Sequence, residues 1–378
     1  MNQIHNTYRR FIKLLLLVSI LLLTGITYAQ ETLNPATLPL LPEGQHVTIE
    51  YGEVDPTASG TLDDAFIEVL SGGVYSYTLT VYWLALQPTS DEITLAPLTD
   101  SLTILEAFDL FPYLSIPTID TVNLVAPPEF MNPGNPAQLA DGLHFNDPAL
   151  IESFGALLDE VVPVLVDHGG FYLSVGNEVD GWLSANPNEL AAYLEFVSAA
   201  RERVHAIAPE LAVGVTMTYS GAVQYPYMLE ALKGVSDVVS FTYYPLNPDF
   251  TVRDPSVVAD DMDTLVELAG DTPLILQEVG YPSGYLTEST NGSSGDLQAR
   301  FVENIFTAIA AHPEIRFVSF LQLGDWSDAT CDFYSGYYGV GLDTFREYLC
   351  TLGLRTYSGE AKPAYQVFLD RLESLNQN

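Results

Sequence analysis

Two glutamates in this chain could do acid–base or nucleophilic chemistry together. Glu178 follows an apolar run at 171–175 and Glu278 follows another at 274–276, so each ends a segment typical of a buried strand. Hydrolysis of a glycosidic bond uses two carboxyl groups, one as proton donor and acceptor and the other as nucleophile or base. A single glutamate at a strand end is equally well explained by an ion pair or a loop cap. Two of them, in a chain with only 13 Lys+Arg residues, favour a catalytic pair.

Aromatic residues follow predicted strands as well. The three tryptophans, Trp83, Trp182 and Trp326, come at or just after the second, fourth and eighth predicted strands. An indole ring offers a flat apolar partner for the C–H face of a sugar, so we expect these residues to line a carbohydrate site. The alternative is that each one packs within a loop.

Two tyrosines are also expected near the site, where they would form an aromatic collar together with the three tryptophans. Tyr281 lies close to Glu278 in the sequence and is expected to join the substrate-binding surface. Strand alternation places Tyr244 on the inward face with Ser240 and Thr242. We therefore expect the Tyr244 hydroxyl to hydrogen-bond Glu278.

Eight strand patterns alternate with eight helix patterns and must position these residues. The predicted strands are 47–52, 77–86, 113–125, 171–178, 211–218, 238–244, 274–278 and 317–323. The predicted helices are 62–70, 98–108, 148–167, 189–208, 227–233, 257–269, 296–311 and 362–375. This alternation favours parallel strand pairing and predicts a single-domain α/β fold, a (β/α)8 TIM barrel over residues 46–376, with its active site at the carboxyl ends of the strands. An open doubly wound sheet is the alternative, but the glycine-rich nucleotide-binding motifs usual in that fold are absent from the sequence.

The N-terminus has the pattern of a targeting segment. Basic residues precede an apolar run at 14–26, and Ala29 ends it before polar residues begin. This predicts a signal peptide over residues 1–29, a leader segment over 30–45, and a protein that is secreted or periplasmic. An uncleaved membrane anchor is the alternative, but the run is shorter than the roughly 20 apolar residues that span a bilayer.

The net charge of −36 limits the partners of the chain. Repulsion makes nucleic acid, anionic membranes and polyanionic polysaccharides poor partners, so we expect a neutral polysaccharide or oligosaccharide and a monomer. The six histidines have no zinc-ligand spacing, and we expect no cofactor. Asp325, Asp328 and Asp332 could hold calcium, although they match no standard calcium loop and are better explained as a solvated acidic loop.

The two cysteines, Cys331 and Cys350, both lie between the last predicted strand and the last predicted helix. In an oxidising compartment we expect them to form a disulfide that rigidifies one wall of the cleft. Closing a loop of about 20 residues stabilises the fold by about 3 kcal/mol in the chain-entropy model.

Several motifs resemble those of the clan A glycoside hydrolases, which are retaining enzymes. Val175-Gly176-Asn177-Glu178 is similar to family 53 endo-β-1,4-galactanases and family 17 β-glucanases, and Glu278-Val279-Gly280-Tyr281-Pro282-Ser283 resembles the family 17 motif. Ser240-Phe241-Thr242-Tyr243-Tyr244-Pro245 and the segment from Gly353 to Ala364 are similar to families 53 and 5. The histidine that many family 5 members carry near strand six is absent.

The resemblance implies a role for each matching residue. Glu178 would be the acid/base, Asn177 the contact to the sugar 2-hydroxyl, Glu278 the nucleophile and Tyr244 its hydrogen-bond partner. We therefore expect a retaining β-glycosidase acting on β-1,4-galactan or β-glucan, with carboxyl groups roughly 5 to 5.5 Å apart. A non-catalytic carbohydrate-binding barrel and a metal-dependent barrel hydrolase remain alternatives.

Overall fold

The computed structural model describes residues 44–285 and 289–376. The predicted signal peptide and all of the predicted leader except Gly44 and Gln45 lie outside these residues. Within the described ranges, no helix is long and apolar enough to span a membrane.

Eight parallel strands form the predicted barrel. Labelled β1 to β8 in chain order, they are His46–Ile49, Ser76–Thr80, Phe111–Ser115, Tyr172–Ser174, Ala212–Gly214 together with Thr216–Thr218, Val239–Tyr243, Leu274–Val279 and Ile315–Phe320. One half pairs in the order β1–β8–β7–β6–β5 and the other in the order β2–β3–β4–β5. The two halves share β5, which is interrupted at Val215, and Thr48 of β1 donates a side-chain hydrogen bond to the Ser76 carbonyl of β2 at 2.7 Å. Each strand therefore lies beside its neighbours in sequence, as a (β/α)8 barrel requires.

A helix follows each strand. Labelled α1 to α8, these helices are Ser59–Ser71, Ala96–Ala107, Pro148–Asp167, Leu190–Ile207, Pro226–Lys233, Val258–Ala269, Gly295–Ala311 and Pro363–Asn376. Side chains that accept hydrogen bonds from backbone amides cap the N-termini of two of these helices. Asp147 accepts a hydrogen bond from the Ala149 amide ahead of α3, and Ser294 accepts one from Leu297 ahead of α7. The described helices match the predicted ones to within a few residues.

The apolar core has two parts. Outward-facing strand residues such as Leu114 and Leu173 are fully buried against the helix layer. Inside the barrel, Tyr113, Tyr172 and Phe317 pack together near the amino ends of the strands. Above them the interior is polar, so hydrogen bonds between side chains, including Thr216 to Gln277 at 2.6 Å, replace apolar packing towards the carboxyl ends. We call that carboxyl end the mouth.

The two longest predicted strands leave the barrel well before their predicted ends. The segment 77–86 leaves the barrel at Thr80 and ends in a one-turn helix, Trp83–Leu86. The segment 113–125 leaves it at Ser115 and continues as a hairpin of Ile119–Asp120 with Asn123–Leu124. An apolar run does not distinguish a strand from the buried loop that follows it, which explains both errors.

Further elements surround the mouth. A second hairpin, Met131–Asn132 with Asn135–Leu139, follows β3, and short helices Val179–Ala185 and Tyr219–Gln224 follow β4 and β5. Between β8 and α8, residues 326–352 include the helices Asp328–Tyr338 and Asp343–Cys350. We call residues 326–352 the mouth insertion.

Candidate active site at the barrel mouth

Glu178 is held in a defined orientation just beyond β4. Its backbone is left-handed, with φ 48°, a conformation that is unfavourable for a non-glycine residue and that clusters at functional sites. One carboxylate oxygen accepts a hydrogen bond from the Thr121 hydroxyl at 2.6 Å, and the other accepts one from the Thr242 hydroxyl at 2.7 Å. The preceding Gly176 leaves no room for a side chain, because a Cβ there would lie 2.3 Å from the Tyr193 hydroxyl.

Glu278 lies near the end of β7, in the same interior. The Tyr244 hydroxyl donates a hydrogen bond to its Oε2 at 2.7 Å, so the hydrogen bond expected from strand alternation is present. Gly280 provides the space for this tyrosine, since a Cβ there would lie 2.8 Å from the Tyr244 ring. The other carboxylate oxygen of Glu278, Oε1, takes no part in the Tyr244 hydrogen bond.

Burial and mutual repulsion separate the protonation of the two glutamates. Burial, then the charge of Glu278, raises the pKa of Glu178 to about 8. Burial also raises the pKa of Glu278, against the opposing effect of the Tyr244 hydrogen bond. Two close carboxyl groups resist joint ionisation, so Glu278 ionises first and Glu178 keeps its proton to higher pH. One ionised and one neutral carboxyl is the arrangement that a nucleophile and a general acid require.

A third carboxylate, Asp120, contacts Asn177. The Asn177 side-chain amide donates to Asp120 Oδ1 at 3.1 Å, and its own oxygen accepts a hydrogen bond from Gln277 at 2.8 Å. Tyr82 and Tyr337 also donate to Asp120, which is only 2% exposed. Asn177 therefore has a single amide orientation. Sequence reasoning missed Asp120 and Gln277, although Gln277 adjoins Glu278 and Asp120 lies within the predicted third strand, 113–125.

Glu50 was also missed, although it directly follows β1. It comes two residues after Thr48, whose side chain is buried in the barrel, and its amide pairs with the Phe320 carbonyl of β8 at 3.0 Å. Burial, then the charge of Glu278, raises the pKa of Glu50 well above its ordinary value. The mouth thus holds carboxyl groups from four strand ends, an environment suited to neutral ligands and hostile to anionic ones.

Two of the three tryptophans that were predicted to bind sugar are core residues. Trp83 is 0% exposed, its ring packs edge-on against Phe154 at 4.8 Å, and its Nε1 donates to Gln87. Trp182 is 3% exposed and donates to the Ala137 carbonyl at 2.7 Å. The prediction that these indoles bind sugar is wrong, because the short helices carrying them turn the rings beneath the mouth rather than into it.

The predictions for Tyr281 and Trp326 have different outcomes. Tyr281 is 1% exposed, stacks on Phe301 at 5.4 Å and donates to the Arg253 carbonyl, so its predicted substrate contact is also wrong. Trp326 is partly buried in the mouth insertion and stacks on Tyr334 at 4.7 Å. Its predicted contact with substrate stays a prediction.

Tyrosines of the mouth insertion take the place of the expected tryptophan collar. Tyr348 packs edge-on against Tyr244 at 5.3 Å. Burial, then the charges of Glu178 and Glu278, raises the pKa of the Tyr348 hydroxyl, and burial with the charge of Asp120 does the same for Tyr338. Tyr348 thus contacts the hydrogen-bond partner of Glu278, and Tyr338 packs against Tyr337, which donates to Asp120. Both lie on a segment that the sequence analysis treated as a loop.

The three aspartates considered for calcium do not converge. Asp325 is buried and pairs with Lys362 at 2.7 Å, whereas Asp328 and Asp332 are exposed and both pair with Arg346. The three aspartates therefore do not form the calcium site considered from the sequence. Lys362 neutralises Asp325, and Arg346 neutralises the other two carboxylates. Within residues 44–285 and 289–376, no group of three His, Cys, Asp or Glu residues could hold a metal ion.

The predicted disulfide is present. Cys331 and Cys350 are bonded, with their Cα atoms 5.8 Å apart. The bond joins the two helices of the mouth insertion, so it rigidifies the segment that carries Tyr337, Tyr338 and Tyr348.

The fold is shared with solved structures of glycoside hydrolases, although no family model and no curated protein sequence matches the chain. A GH5_18 protein from Bifidobacterium longum, solved with Manβ1-4GlcNAc, is 16% identical, with TM-score 0.66 over 87% of this chain and 78% of that one. The exo-β-1,4-mannosidase Op5Man5 from an Opitutaceae bacterium is also 16% identical, with TM-score 0.65 over 88% of this chain and 60% of that one. Xylanase 10B from Thermotoga maritima is 14% identical, with TM-score 0.59 over 89% and 97%. These structures share the single-domain (β/α)8 fold that the resemblance to clan A implies, and they confirm the predicted fold of this chain.

Proposed function

We propose that this protein is a retaining β-glycosidase that hydrolyses neutral β-linked oligosaccharides or polysaccharides. The observation that carries the proposal is the unequal pair of carboxyls at the mouth. Glu178 is held by two threonine hydroxyls and has a raised pKa, while Glu278 accepts the Tyr244 hydroxyl. Structural neighbours that are glycoside hydrolases give the proposal further support.

The first half of the reaction forms a covalent intermediate. The ionised Glu278 attacks the anomeric carbon and the glycosidic C–O bond breaks. The leaving oxygen takes the proton of Glu178, whose raised pKa keeps that proton available near neutral pH. The Tyr244 hydrogen bond favours the charged form of Glu278 and so keeps the nucleophile ionised.

The second half releases the sugar. Glu178, now ionised, removes a proton from water, and the water oxygen attacks the anomeric carbon as the ester bond to Glu278 breaks. Both glutamates return to their starting protonation states. Because the two displacements occur on opposite faces of the sugar, the configuration is retained.

The sugar unit is a neutral hexose or pentose in this proposal. The four carboxyl groups at the mouth disfavour uronic acids and other anionic sugars. Sequence motifs favour β-1,4-galactan or β-glucan, whereas the neighbouring structures with named ligands or activities add β-mannosides. The xylanase neighbour adds β-xylans, and we retain all four sugar types as candidates.

Export of the protein is a further part of the proposal. The targeting pattern at residues 1–29 supports it, and the Cys331–Cys350 bond fits an oxidising compartment. Sequencing the N-terminus of the exported protein should find Gln30 first. Secretion with residues 1–29 attached would contradict the cleavage site, and retention in the cytoplasm would contradict export.

The decisive experiment compares two variants on a panel of aryl β-glycosides. Glu278→Ala should abolish turnover of every substrate, because no glycosyl–enzyme bond can form. Glu178→Ala should lose about 10²- to 10⁴-fold on poor leaving groups and much less on activated ones. Azide should rescue Glu178→Ala and yield a β-glycosyl azide of retained configuration.

The matched control is Glu152→Ala, which removes an exposed glutamate from α3 and should leave turnover unchanged. A glycosyl azide of retained configuration from Glu278→Ala, together with an inverted one from Glu178→Ala, would reverse the two roles. Binding of glycans without turnover by the wild-type protein would instead support a carbohydrate-binding barrel.

A further inference from the structure

The mouth insertion closes much of the rim around the catalytic candidates. We propose that the site is a pocket which accepts only the non-reducing end of a chain, so that the enzyme is exo-acting and releases one terminal sugar at a time. This inference rests on the proposed glycosidase function and adds which bond of a chain is cut.

One side of the closure runs over β1 and β2. The Tyr337 hydroxyl donates to Asp120 at 2.9 Å, and the Asn123 side chain donates to the Tyr337 carbonyl at 3.0 Å. The insertion follows β8, whereas Asp120 and Asn123 follow β3. Since β1 and β2 lie between these strands in the barrel, the contacts bridge the rim above them.

A further hydrogen bond supports this wall at its base. The Ser327 amide donates to the Glu53 carboxylate, in the loop after β1, at 2.8 Å. The Tyr82 hydroxyl, from the segment after β2, donates to the same oxygen of Asp120 as Tyr337 does. Residues following β8, β1, β2 and β3 are therefore joined into one continuous wall.

The other side of the closure runs over β7 and β6. Glu347 accepts hydrogen bonds from the Tyr285 and Asn291 amides, both in the loop after β7, at 2.9 Å each. In the loop after β6, the Asp249 carbonyl accepts a hydrogen bond from Thr344 at 2.6 Å and Phe250 packs edge-on against Phe345 at 4.7 Å. The insertion thus reaches the rim on both sides of its own strand.

The closure extends down to the reacting groups. Tyr348 packs on Tyr244, the hydrogen-bond partner of Glu278, and Tyr338 packs edge-on at 5.0 Å against Tyr337, which donates to Asp120. Glu178 and Glu278 nonetheless keep partial exposure, so solvent still reaches them. The mouth insertion contacts the loops after β1, β3, β6 and β7. We therefore place the opening of the pocket at the part of the rim over β4 and β5.

The position of Glu178 sets the direction of the chain in this pocket. Glu178 lies just beyond β4, beside the proposed opening, and as the proton donor it faces the leaving group. The leaving group, which is the remainder of the chain, therefore extends out over β4 and β5. The sugar attached to Glu278 lies under the mouth insertion. The wall there leaves no space for a further sugar on the non-reducing side.

The test uses the full-length mature protein and hexasaccharides labelled with 2-aminobenzamide at the reducing end. Hexamers of β-1,4-linked mannose, glucose, galactose and xylose are each offered unmodified and with the hydroxyls of the non-reducing terminal sugar methylated. We expect a labelled pentamer and free monosaccharide as the first products from an accepted unmodified hexamer. The methylated counterpart should be cleaved at least about 100-fold more slowly. Glu278→Ala, expected to be inactive on both, controls for contaminating enzymes.

Two kinds of failure are distinguishable. Early release of labelled dimers to tetramers, or cleavage of the methylated hexamer at the unmodified rate, overturns exo action and leaves the glycosidase proposal standing. Inactivity of the wild-type protein towards all four unmodified hexamers and all aryl β-glycosides overturns the proposed function, and the exo assignment with it.

Discussion

The Tyr337 hydroxyl, on a helix that follows the last barrel strand, donates a 2.9 Å hydrogen bond to the Asp120 carboxylate, which follows the third. The same carboxylate receives the amide of Asn177, the neighbour of Glu178. Asp120 thereby connects the mouth insertion to a residue that the resemblance assigns to the sugar 2-hydroxyl. We regard it as a positioning residue, because its contacts are with protein side chains rather than with the reacting atoms.

Replacing Asp120 should therefore weaken catalysis in a manner that depends on the substrate. Asp120→Ala removes a charged hydrogen-bond acceptor worth about 1.5–3 kcal/mol, so kcat/KM should fall roughly 10- to 100-fold on ordinary aryl glycosides. On the matching 2-deoxyglycosides the loss should nearly disappear, since Asn177 then has no 2-hydroxyl to bind. The control Asp261→Ala removes a buried carboxylate bonded to Tyr219 and Tyr243, and its effect should not depend on the 2-hydroxyl. Equal losses of Asp120→Ala on both substrate types would indicate a purely structural role.

Adjacent tyrosines of the sixth strand offer a matched comparison. Tyr244 donates to Glu278, whereas the Tyr243 hydroxyl donates to Asp261, away from the mouth. Tyr244→Phe should lower kcat about 10- to 100-fold and move the acidic limb of the pH profile upward, because the hydrogen bond lowers the pKa of Glu278. Tyr243→Phe should leave both quantities nearly unchanged while reducing thermal stability. A similar kinetic loss in both variants would contradict the assignment of the Glu278 partner.

The pH dependence of kcat/KM should be bell-shaped. Activity should fall at low pH as Glu278 is protonated, at a pKa above its ordinary value, and at high pH as Glu178 loses its proton near pH 8. With a 2,4-dinitrophenyl glycoside, whose leaving group needs no proton, Glu178→Gln should lose the alkaline limb and keep the acidic one. An alkaline limb that persists in this variant would assign it to another group.

Thermal stability should also depend on Glu178. Its pKa is about 8 in the folded protein and near its ordinary value when unfolded, so the native state binds more protons between those two values. The stabilisation is complete below the unfolded pKa and is lost as pH rises towards 8. The melting temperature should therefore fall between pH 5 and pH 9, and Glu178→Gln should flatten this slope. Asp159→Asn, which removes a carboxylate whose pKa Arg203 lowers, should not flatten it.

Loss of the Cys331–Cys350 bond should affect the mouth before the barrel. The bond joins cysteines 19 positions apart, and its removal in Cys331→Ser/Cys350→Ser should cost about 3 kcal/mol if the loop and barrel unfold together. We expect faster proteolysis within residues 326–352 and reduced activity at temperatures where the far-ultraviolet circular dichroism remains native. Thiol titration of the unreduced wild-type protein should find no free cysteine. Unchanged proteolysis and activity in the double variant would contradict a role in rigidifying the mouth.

Periodicity along the chain was sufficient to predict the barrel and its two principal carboxylates. Both glutamates follow apolar strand patterns, so they could be placed at the mouth, and alternation along β6 placed Tyr244 inward. The disulfide was similarly accessible, since its cysteines lie on one short segment. These predictions required only local geometry and the rule that parallel strands end at one edge.

Tertiary structure alone decided what surrounds those carboxylates. Whether Trp83 faces a ligand or the core depends on the path of an irregular loop and on Phe154, 71 positions away in the printed sequence. The Tyr337–Asp120 contact joins residues 217 positions apart, and no local pattern marks either one as a partner of the other. The sequence by itself therefore determined the strand-end chemistry, because short-range backbone periodicity controls it. Packing between distant loops determined the walls of the pocket, because those loops acquire their positions only once the barrel has closed.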